Sequence, residues 1–132
     1  MGSSIKDLSS YRFEKAEEDI KTAEVLLENM MLTASINRSY YAIFHGMRAV
    51  TALSGFDSSK HSGIIAYFNQ NFIKKGIFDK SMSETIKSAY RIREKSDYED
   101  FYIVSKQEAI EQLEHAKEFL SIIEKYLDDE KD

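Results

Sequence analysis

The chain has 132 residues, with 23 acidic and 18 basic side chains, a formal charge of −5, and no cysteine, proline or tryptophan. This length is typical of one domain, and 42% hydrophobic residues are enough to build a core. The lack of cysteine excludes disulfides, thiolate metal sites and a thiol nucleophile, while the lack of proline favours long uninterrupted helices. The acidic balance by itself argues against nucleic acid as a ligand.

We expect a single domain over residues 1–132, with a flexible leader at residues 1–9 and a frayed acidic tail at residues 128–132. The sequence has no apolar window of about 18 residues and no secretory signal, which predicts a cytoplasmic protein without a membrane span. It also has no metal-binding motif, and its acidic residues 17–19 and 128–130 are typical of solvated faces. We therefore expect no metal and no cofactor.

The spacing of hydrophobic residues predicts two outer amphipathic helices and an apolar helix between them. Apolar residues recur every three or four positions over residues 10–29 and again over residues 106–126. Residues 33–54 are apolar on nearly every face, which predicts a helix at the centre of a bundle.

Glycine and capping patterns mark the ends of the other helices. Gly55 and Gly76 predict the ends of the second and third helices. Ser81 and Ser105 are each followed three residues later by Glu, which is the capping-box pattern and predicts a shorter fourth helix, to about residue 95, and the last helix. Together these elements predict an all-α, up-and-down four-helix bundle with an additional short helix.

The central helix carries a polar stripe. On an ideal helix its members share about a third of the circumference, and they are Asn37, Arg38, Tyr41, His45 and Arg48. Arg38 and His45 lie two turns apart, about 10.5 Å along the axis, so that both can reach one phosphate. Guanidinium and imidazole groups are costly to bury unpaired, so the stripe must face solvent, a carboxylate or an anionic ligand.

The residues alone leave a structural interpretation open. In that interpretation Arg38 pairs with an acid such as Glu94 or Asp97, and His45 is a hydrogen-bonded histidine of the bundle. It requires Arg38 to be paired with a carboxylate and no open cleft to lie beside it.

The run Asn37-Arg-Ser-Tyr-Tyr-Ala-Ile-Phe-His45 resembles the signature of HEPN-domain proteins, in which an Arg and a His are separated by four to six residues on one helix. The similarity continues through Lys60-His-Ser-Gly63, the segment from Phe68 to Phe78, the element from Arg93 to Tyr98 and the last helix. The similarity covers nearly the whole chain, which resembles the small stand-alone HEPN branch of bacteria and archaea.

The resemblance implies a homodimer in which the Arg-His helices of two subunits lie near each other. Many HEPN proteins are metal-independent ribonucleases, and a number are toxins encoded beside a minimal nucleotidyltransferase that acts as antitoxin. Other members are non-catalytic modules that bind a nucleotide or dock a nucleotidyltransferase. In one toxin branch a Tyr two residues after the His is modified, but this chain has Met47 there, so we do not expect that control.

As a ribonuclease, the chain would use His45 as the base for the ribose 2′-hydroxyl and Arg38 as the cation for the charge developing on phosphorus. The product would be a 2′,3′-cyclic phosphate. The residues expected to contact RNA or a nucleotide are Asn37, Tyr41, Arg48, Lys60, His61 and Arg93, with Asp97 and Tyr98 in support. His61 has a second interpretation as the cap of the third helix.

The charge is unevenly distributed along the chain. Residues 31–95 carry ten basic and four acidic side chains, a formal charge of +6, whereas the segments on either side are acidic. This basic segment contains the predicted site, so the net charge of −5 does not exclude an anionic ligand.

Overall fold

The computed structural model describes residues 2–130, without the side chains of residues 2 and 3. In this part the chain forms α-helices and no strands. The helices are α1 (Gly2–Glu28), α2 (Leu32–Leu53), α3 (His61–Phe68), α4 (Ser81–Tyr98) and α5 (Lys106–Glu130). The predicted all-α bundle of four long helices and one short helix is confirmed. No helix within residues 2–130 is both long and apolar enough to cross a membrane.

Helix α2 lies at the centre, as predicted, and packs against each of the other four helices. Its buried side chains include Tyr40, Ile43 and Met47, each at most 1% exposed. Phe68 of α3 and Phe119 of α5 complete the same hydrophobic core. The side chains of α2 therefore reach every part of the bundle, and its polar stripe lies where several helices meet.

The seam of α1 against α2 differs from the predicted apolar stripe. Its buried positions follow a 3-4 spacing and are Ser9, Arg12, Ala16, Asp19 and Ala23. The larger Phe13 and Ile20, which belong to the apolar pattern of residues 10–29, are only partly buried and pack against the core from its edge. Small side chains along the seam allow the two backbones to approach closely, so the seam also admits two charged residues.

Two serine hydroxyls connect α1 and α2 at opposite ends of the seam. Ser9 Oγ donates to the carbonyl of Ala49 at 2.7 Å, and Ser35 Oγ donates to the carbonyl of Ala23 at 2.8 Å. The N-terminal part of α1 thus meets the C-terminal part of α2, which makes the pair antiparallel. The two bonds fix the axial register of the pair.

Helix α1 begins at Gly2, well before the predicted start at Ser10. Residues 2–9, predicted to be a flexible leader, are helical because Ser9 is buried against α2 and extends the seam by one turn. At the other end α5 continues to Glu130, through most of the predicted tail. Residue 1 of the leader and residues 131–132 of the tail lie outside the described residues.

The glycine stops are confirmed. Gly55 has φ of +76° and Gly76 has φ of +79°, a left-handed conformation that favours glycine and ends the helices there. Before Gly76, the third helix changes from α-helical to π-helical hydrogen bonding, and the π-helical turn is Asn69–Ile73.

One of the two capping boxes is confirmed and the other is wrong. The backbone N–H of Glu108 donates to Ser105 Oγ at 3.0 Å, and the N–H of Ser105 donates to Glu108 Oε1 at 3.0 Å. Ser81 does not cap α4. Instead its N–H donates to Asp79 Oδ2 at 2.9 Å, so this carboxylate takes the place that the capping box assigns to the side chain of Glu84.

Ser35 and Ser39 of α2 provide a matched test of the seam, since both are at most 1% exposed. The Ser39 hydroxyl is buried without a hydrogen-bond partner among the described residues. We expect Ser35→Ala to lower the free energy of unfolding by about 1 kcal/mol, because it removes the bond to α1. Ser39→Ala should be neutral or stabilising, and urea denaturation of both variants would measure the difference. Equal losses would show that the hydroxyl bond does not stabilise the seam.

Candidate functional site

One carboxylate joins the two principal residues of the predicted site. Asp19 of α1 accepts from Arg38 Nη1 at 3.0 Å through Oδ1 and contacts His45 Nδ1 at 2.8 Å through Oδ2. The Asp19 side chain is only 10% exposed, whereas that of Arg38 is 35% exposed. Because a carboxylate oxygen accepts, Nδ1 of His45 donates, and a neutral imidazole then has its lone pair on Nε2.

A chain of hydrogen bonds extends from Arg38 to α4. Arg38 Nη2 donates to Asn37 Oδ1 at 3.0 Å, and Asn37 Nδ2 donates to Asp97 Oδ2 at 3.1 Å. Arg93 Nε donates to the same Asp97 oxygen at 3.1 Å, which forms an ion pair within α4. Arg93 also reaches the hydroxyl of Tyr41 at 3.5 Å. Asn37 therefore holds Arg38 in place and connects it to the C-terminal turn of α4.

Aromatic rings lie beneath these cations. The Arg38 guanidinium carbon is 4.8 Å from the ring centre of Tyr41, and the Arg93 carbon is 5.5 Å from it. The Arg93 carbon is also 5.8 Å from the ring of Tyr98, which is 69% exposed. Helix α4 extends beyond the predicted end near residue 95, and this added turn brings Asp97 and Tyr98 to the site.

His61 joins the site from α3. Its ring stacks on Phe44 with centroids 4.0 Å apart, and its Nδ1 lies 2.8 Å from the Tyr40 hydroxyl. Burial, followed by the nearby charges of Arg93, His45 and Arg48, holds the pKa of His61 below its usual range. Its interpretation as a helix cap is wrong, because the ring turns to α2 and no side-chain cap bond forms at the start of α3.

The two remaining predicted contacts have different surroundings. Arg48 Nη2 donates to Asp57 Oδ1 at 2.9 Å, so this cation is paired and lies one turn beyond His45. The side chain of Lys60 is exposed and has no hydrogen bond or ion pair to another residue within 2–130. Arg48 is thus paired beside the site, whereas the Lys60 side chain makes no such bond within residues 2–130.

The structural interpretation of Arg38 is met in one respect and fails in another. Arg38 is paired with a carboxylate, but the partner is Asp19 rather than Glu94 or Asp97. An open groove of about 590 Å³ runs beside it. Arg38, Asn37 and Asp97 form the polar part of its lining, and Leu26, Met31 and Leu32 form much of the apolar part. The paired Arg38 therefore remains accessible from one side.

Sequence reasoning missed Asp19 and Arg12. Asp19 was assigned to a solvated face with its acidic neighbours, but it is 7% exposed, and Arg12 is 8% exposed. Both share the helical face of the alanines, since Arg12 lies four residues before Ala16 and Asp19 lies three residues after it. They continue the spacing of the alanines, whereas the larger apolar residues beside them indicate a neighbouring face of the helix.

The family model for the HEPN domain matches residues 9–126, and so includes every residue of this site. The chain belongs to the HEPN-domain family. A UPF0332 protein of Thermotoga maritima is 32% identical over 115 residues, which are 87% of each chain. A Methanocaldococcus jannaschii protein named "Putative toxin MJ0142" is 32% identical over 86% of this chain and 78% of its own length. A second from that organism, "Putative toxin MJ0605", is 34% identical over 64% and 63%.

Asp19→Asn should destabilise this HEPN protein, because it leaves Arg38 and the partly buried His45 without the carboxylate that they share. We expect the free energy of unfolding to fall by about 2 kcal/mol. Glu18→Gln, the same change at the exposed neighbouring position, should alter it by less than about 0.5 kcal/mol. Urea denaturation of both variants measures the effect, and similar values for the two would mean that Asp19 stabilises no buried contact.

His61 should titrate below the ordinary histidine pKa of about 6.5 in the folded protein. The unfolded chain then takes up the proton first, so the free energy of unfolding should decrease as the pH falls through and below about 6.5. Proton NMR of the imidazole signals measures the pKa, and Arg93→Met should raise it by removing a nearby positive charge. His61→Gln should remove this part of the pH dependence, and an unchanged dependence would contradict the assignment.

Proposed function

We propose that this HEPN protein is a metal-independent endoribonuclease that acts as a toxin. The observation that supports the activity is the sharing of one buried carboxylate, Asp19, by Arg38 and His45. This arrangement holds a proton acceptor and a permanent cation on the same face of α2, which are the two groups that metal-free RNA cleavage requires.

His45 is the proposed base. With Nδ1 donating to Asp19, Nε2 is free to accept the proton of the ribose 2′-hydroxyl. The 2′ oxygen then attacks the adjacent phosphorus, and the bond to the 5′ oxygen of the next nucleotide breaks. The products are a 2′,3′-cyclic phosphate and a 5′-hydroxyl end. DNA lacks the 2′-hydroxyl and is not a substrate for this reaction.

Arg38 is the proposed electrostatic partner. A guanidinium has five N–H donors, and Asp19 and Asn37 each accept one from Arg38. The other donors are available for phosphate oxygens on the exposed side of the group. Because its two bonds within the protein already fix the orientation of Arg38, it loses little conformational freedom when the substrate binds.

The leaving 5′ oxygen needs a proton, and the source we propose is a second copy of the chain. Burial lowers the pKa of His61, so at neutral pH this imidazole seldom carries the proton that a general acid must donate. A homodimer with the two α2 helices adjacent would bring a second His45 to the scissile phosphate. Dimerisation would then supply both an acid and a base of the same residue type.

The toxin role rests on the two Methanocaldococcus jannaschii relatives whose names describe them as toxins. A toxin requires a neutralising partner, and we propose a minimal nucleotidyltransferase encoded beside this chain. Such a partner would act by covering the groove beside Arg38 or by preventing RNA from reaching it. A small nucleotidyltransferase gene next to this one would support the assignment.

Cleavage of RNA in EDTA tests the activity. Wild-type protein should cleave a single-stranded RNA and produce 2′,3′-cyclic phosphate ends, detectable by mass spectrometry. His45→Ala should lower the rate by about 10²-fold to 10⁴-fold, since it removes the base. Arg38→Gln should lower it by about 10²-fold or more, since it removes the cation.

The matched control is His115→Ala, a histidine removed from the exposed surface of α5. This variant should cleave at the wild-type rate, which excludes a contaminating ribonuclease if the His45 variant is inactive. Cleavage that is equal in all variants would refute the proposal. Absence of cleavage together with ATP binding, measured by calorimetry, would instead favour the non-catalytic nucleotide-binding alternative.

A further inference from the structure

Two arginines of different helices converge on one loop carboxylate. Arg12 Nη2 of α1 lies 3.2 Å from Asp57 Oδ2, and Arg48 Nη2 of α2 lies 2.9 Å from Asp57 Oδ1. Arg12 is further fixed by its Nη1, which donates to the carbonyl of Arg48 at 3.5 Å. Each oxygen of Asp57 therefore pairs with its own guanidinium. The oxygens of a bound phosphate could pair with the same two guanidinium groups.

The cations and the acid differ in their burial. The side chain of Arg12 is 9% exposed and that of Arg48 is 26% exposed, whereas that of Asp57 is 56% exposed. Arg48 Nε is buried and has no hydrogen-bond partner among the described residues. The two arginines are thus built into the helix pair with unused donor capacity, while the acid comes from the irregular loop between α2 and α3.

This pair lies beside the proposed cleavage site. Arg48 is one turn beyond His45 on the stripe, and both flank Phe44, whose ring centre is 5.9 Å from the Arg48 guanidinium carbon and 5.8 Å from the His45 ring. The phosphates of a nucleic acid strand are close together and each carries a charge. A strand with one phosphate at Arg38 and His45 would place a neighbouring phosphate near Arg48.

We propose that Arg12 and Arg48 form a second phosphate-binding subsite for an RNA strand, and that Asp57 occupies this subsite in the free protein and is displaced by the strand. The proposal rests on the proposed ribonuclease function for the identity of its ligand. It adds a site that the Arg-His motif does not contain. An aspartate is ionised at neutral pH, and the hydrogen bond from Arg48 lowers the pKa of Asp57 further, so this carboxylate is charged wherever it competes with phosphate.

Binding of a 2′-O-methyl RNA oligonucleotide, measured by fluorescence anisotropy, tests the subsite without cleavage, because the attacking hydroxyl is blocked. Asp57→Asn should bind it about tenfold more tightly than the wild type, since the competing charge is gone. Its affinity should also depend more steeply on salt, with a slope of log K against log salt larger by about 0.7 for one added phosphate contact.

Two controls separate this subsite from a general charge effect. Asp79→Asn removes the same charge from another exposed loop and should leave the affinity nearly unchanged. The double variant Asp57→Asn/Arg48→Gln should lose the gain. Unchanged or weaker binding by Asp57→Asn would overturn the proposal, as would an equal gain for Asp79→Asn.

Asp57→Ser tests whether the tighter binding comes from loss of the carboxylate or from a changed loop conformation. It should bind the oligonucleotide as tightly as Asp57→Asn if loss of the carboxylate is the cause. The outcome for the catalytic proposal is separate. If wild-type protein does not cleave RNA but Asp57→Asn still binds the oligonucleotide more tightly, the subsite stands and the ribonuclease function fails. If wild-type protein cleaves RNA but Asp57→Asn binds the oligonucleotide no more tightly, the ribonuclease function stands and the subsite fails.

Discussion

The structure of the site depends on the burial of one carboxylate between α1 and α2. Asp19 is removed from water, and this costs free energy unless its oxygens are hydrogen-bonded and its charge is balanced. Arg38 and His45 meet both requirements at once, one on each oxygen. The same contacts that make the buried acid tolerable also set the orientation of the two side chains that carry the proposed chemistry.

The other helices add to this centre in layers. Helix α4 contributes the Asp97 and Arg93 pair, which holds Asn37 and so restrains Arg38 from the opposite side. Helix α3 contributes His61, stacked on Phe44. The candidate functional surface is therefore assembled on the central helix of the bundle. That helix can carry it because the polar stripe is satisfied by neighbours instead of being left unpaired in the core.

Local features were predictable from the sequence, and features that depend on how helices meet were not. The helices, the central place of α2 and the polar stripe follow from the 3.6-residue period, which each segment carries by itself. The burial of Asp19 and Arg12 was missed because it depends on the rotation of α1 against α2. Small side chains at Ala16 and Ala23 shift the seam away from the larger Phe13, and no rule of periodicity contains that preference. The predicted capping box at Ser81 failed for a similar reason, since the Asp79 carboxylate accepts the Ser81 N–H that the box assigns to Glu84.

The serine bonds between α1 and α2 have a mechanical consequence. Ser9 and Ser35 bond to Ala49 and Ala23, so the two attachment points are separated by 14 residues on each helix. The two helices therefore have the same length between these points, and neither can slide along the other without breaking a serine bond. Inserting one residue between Ser9 and Asp19 would rotate the carboxylate by about 100° and move it about 1.5 Å along the axis. The alignment of Asp19 with Arg38 and His45 therefore depends on the number of residues between these attachment points on α1 and α2.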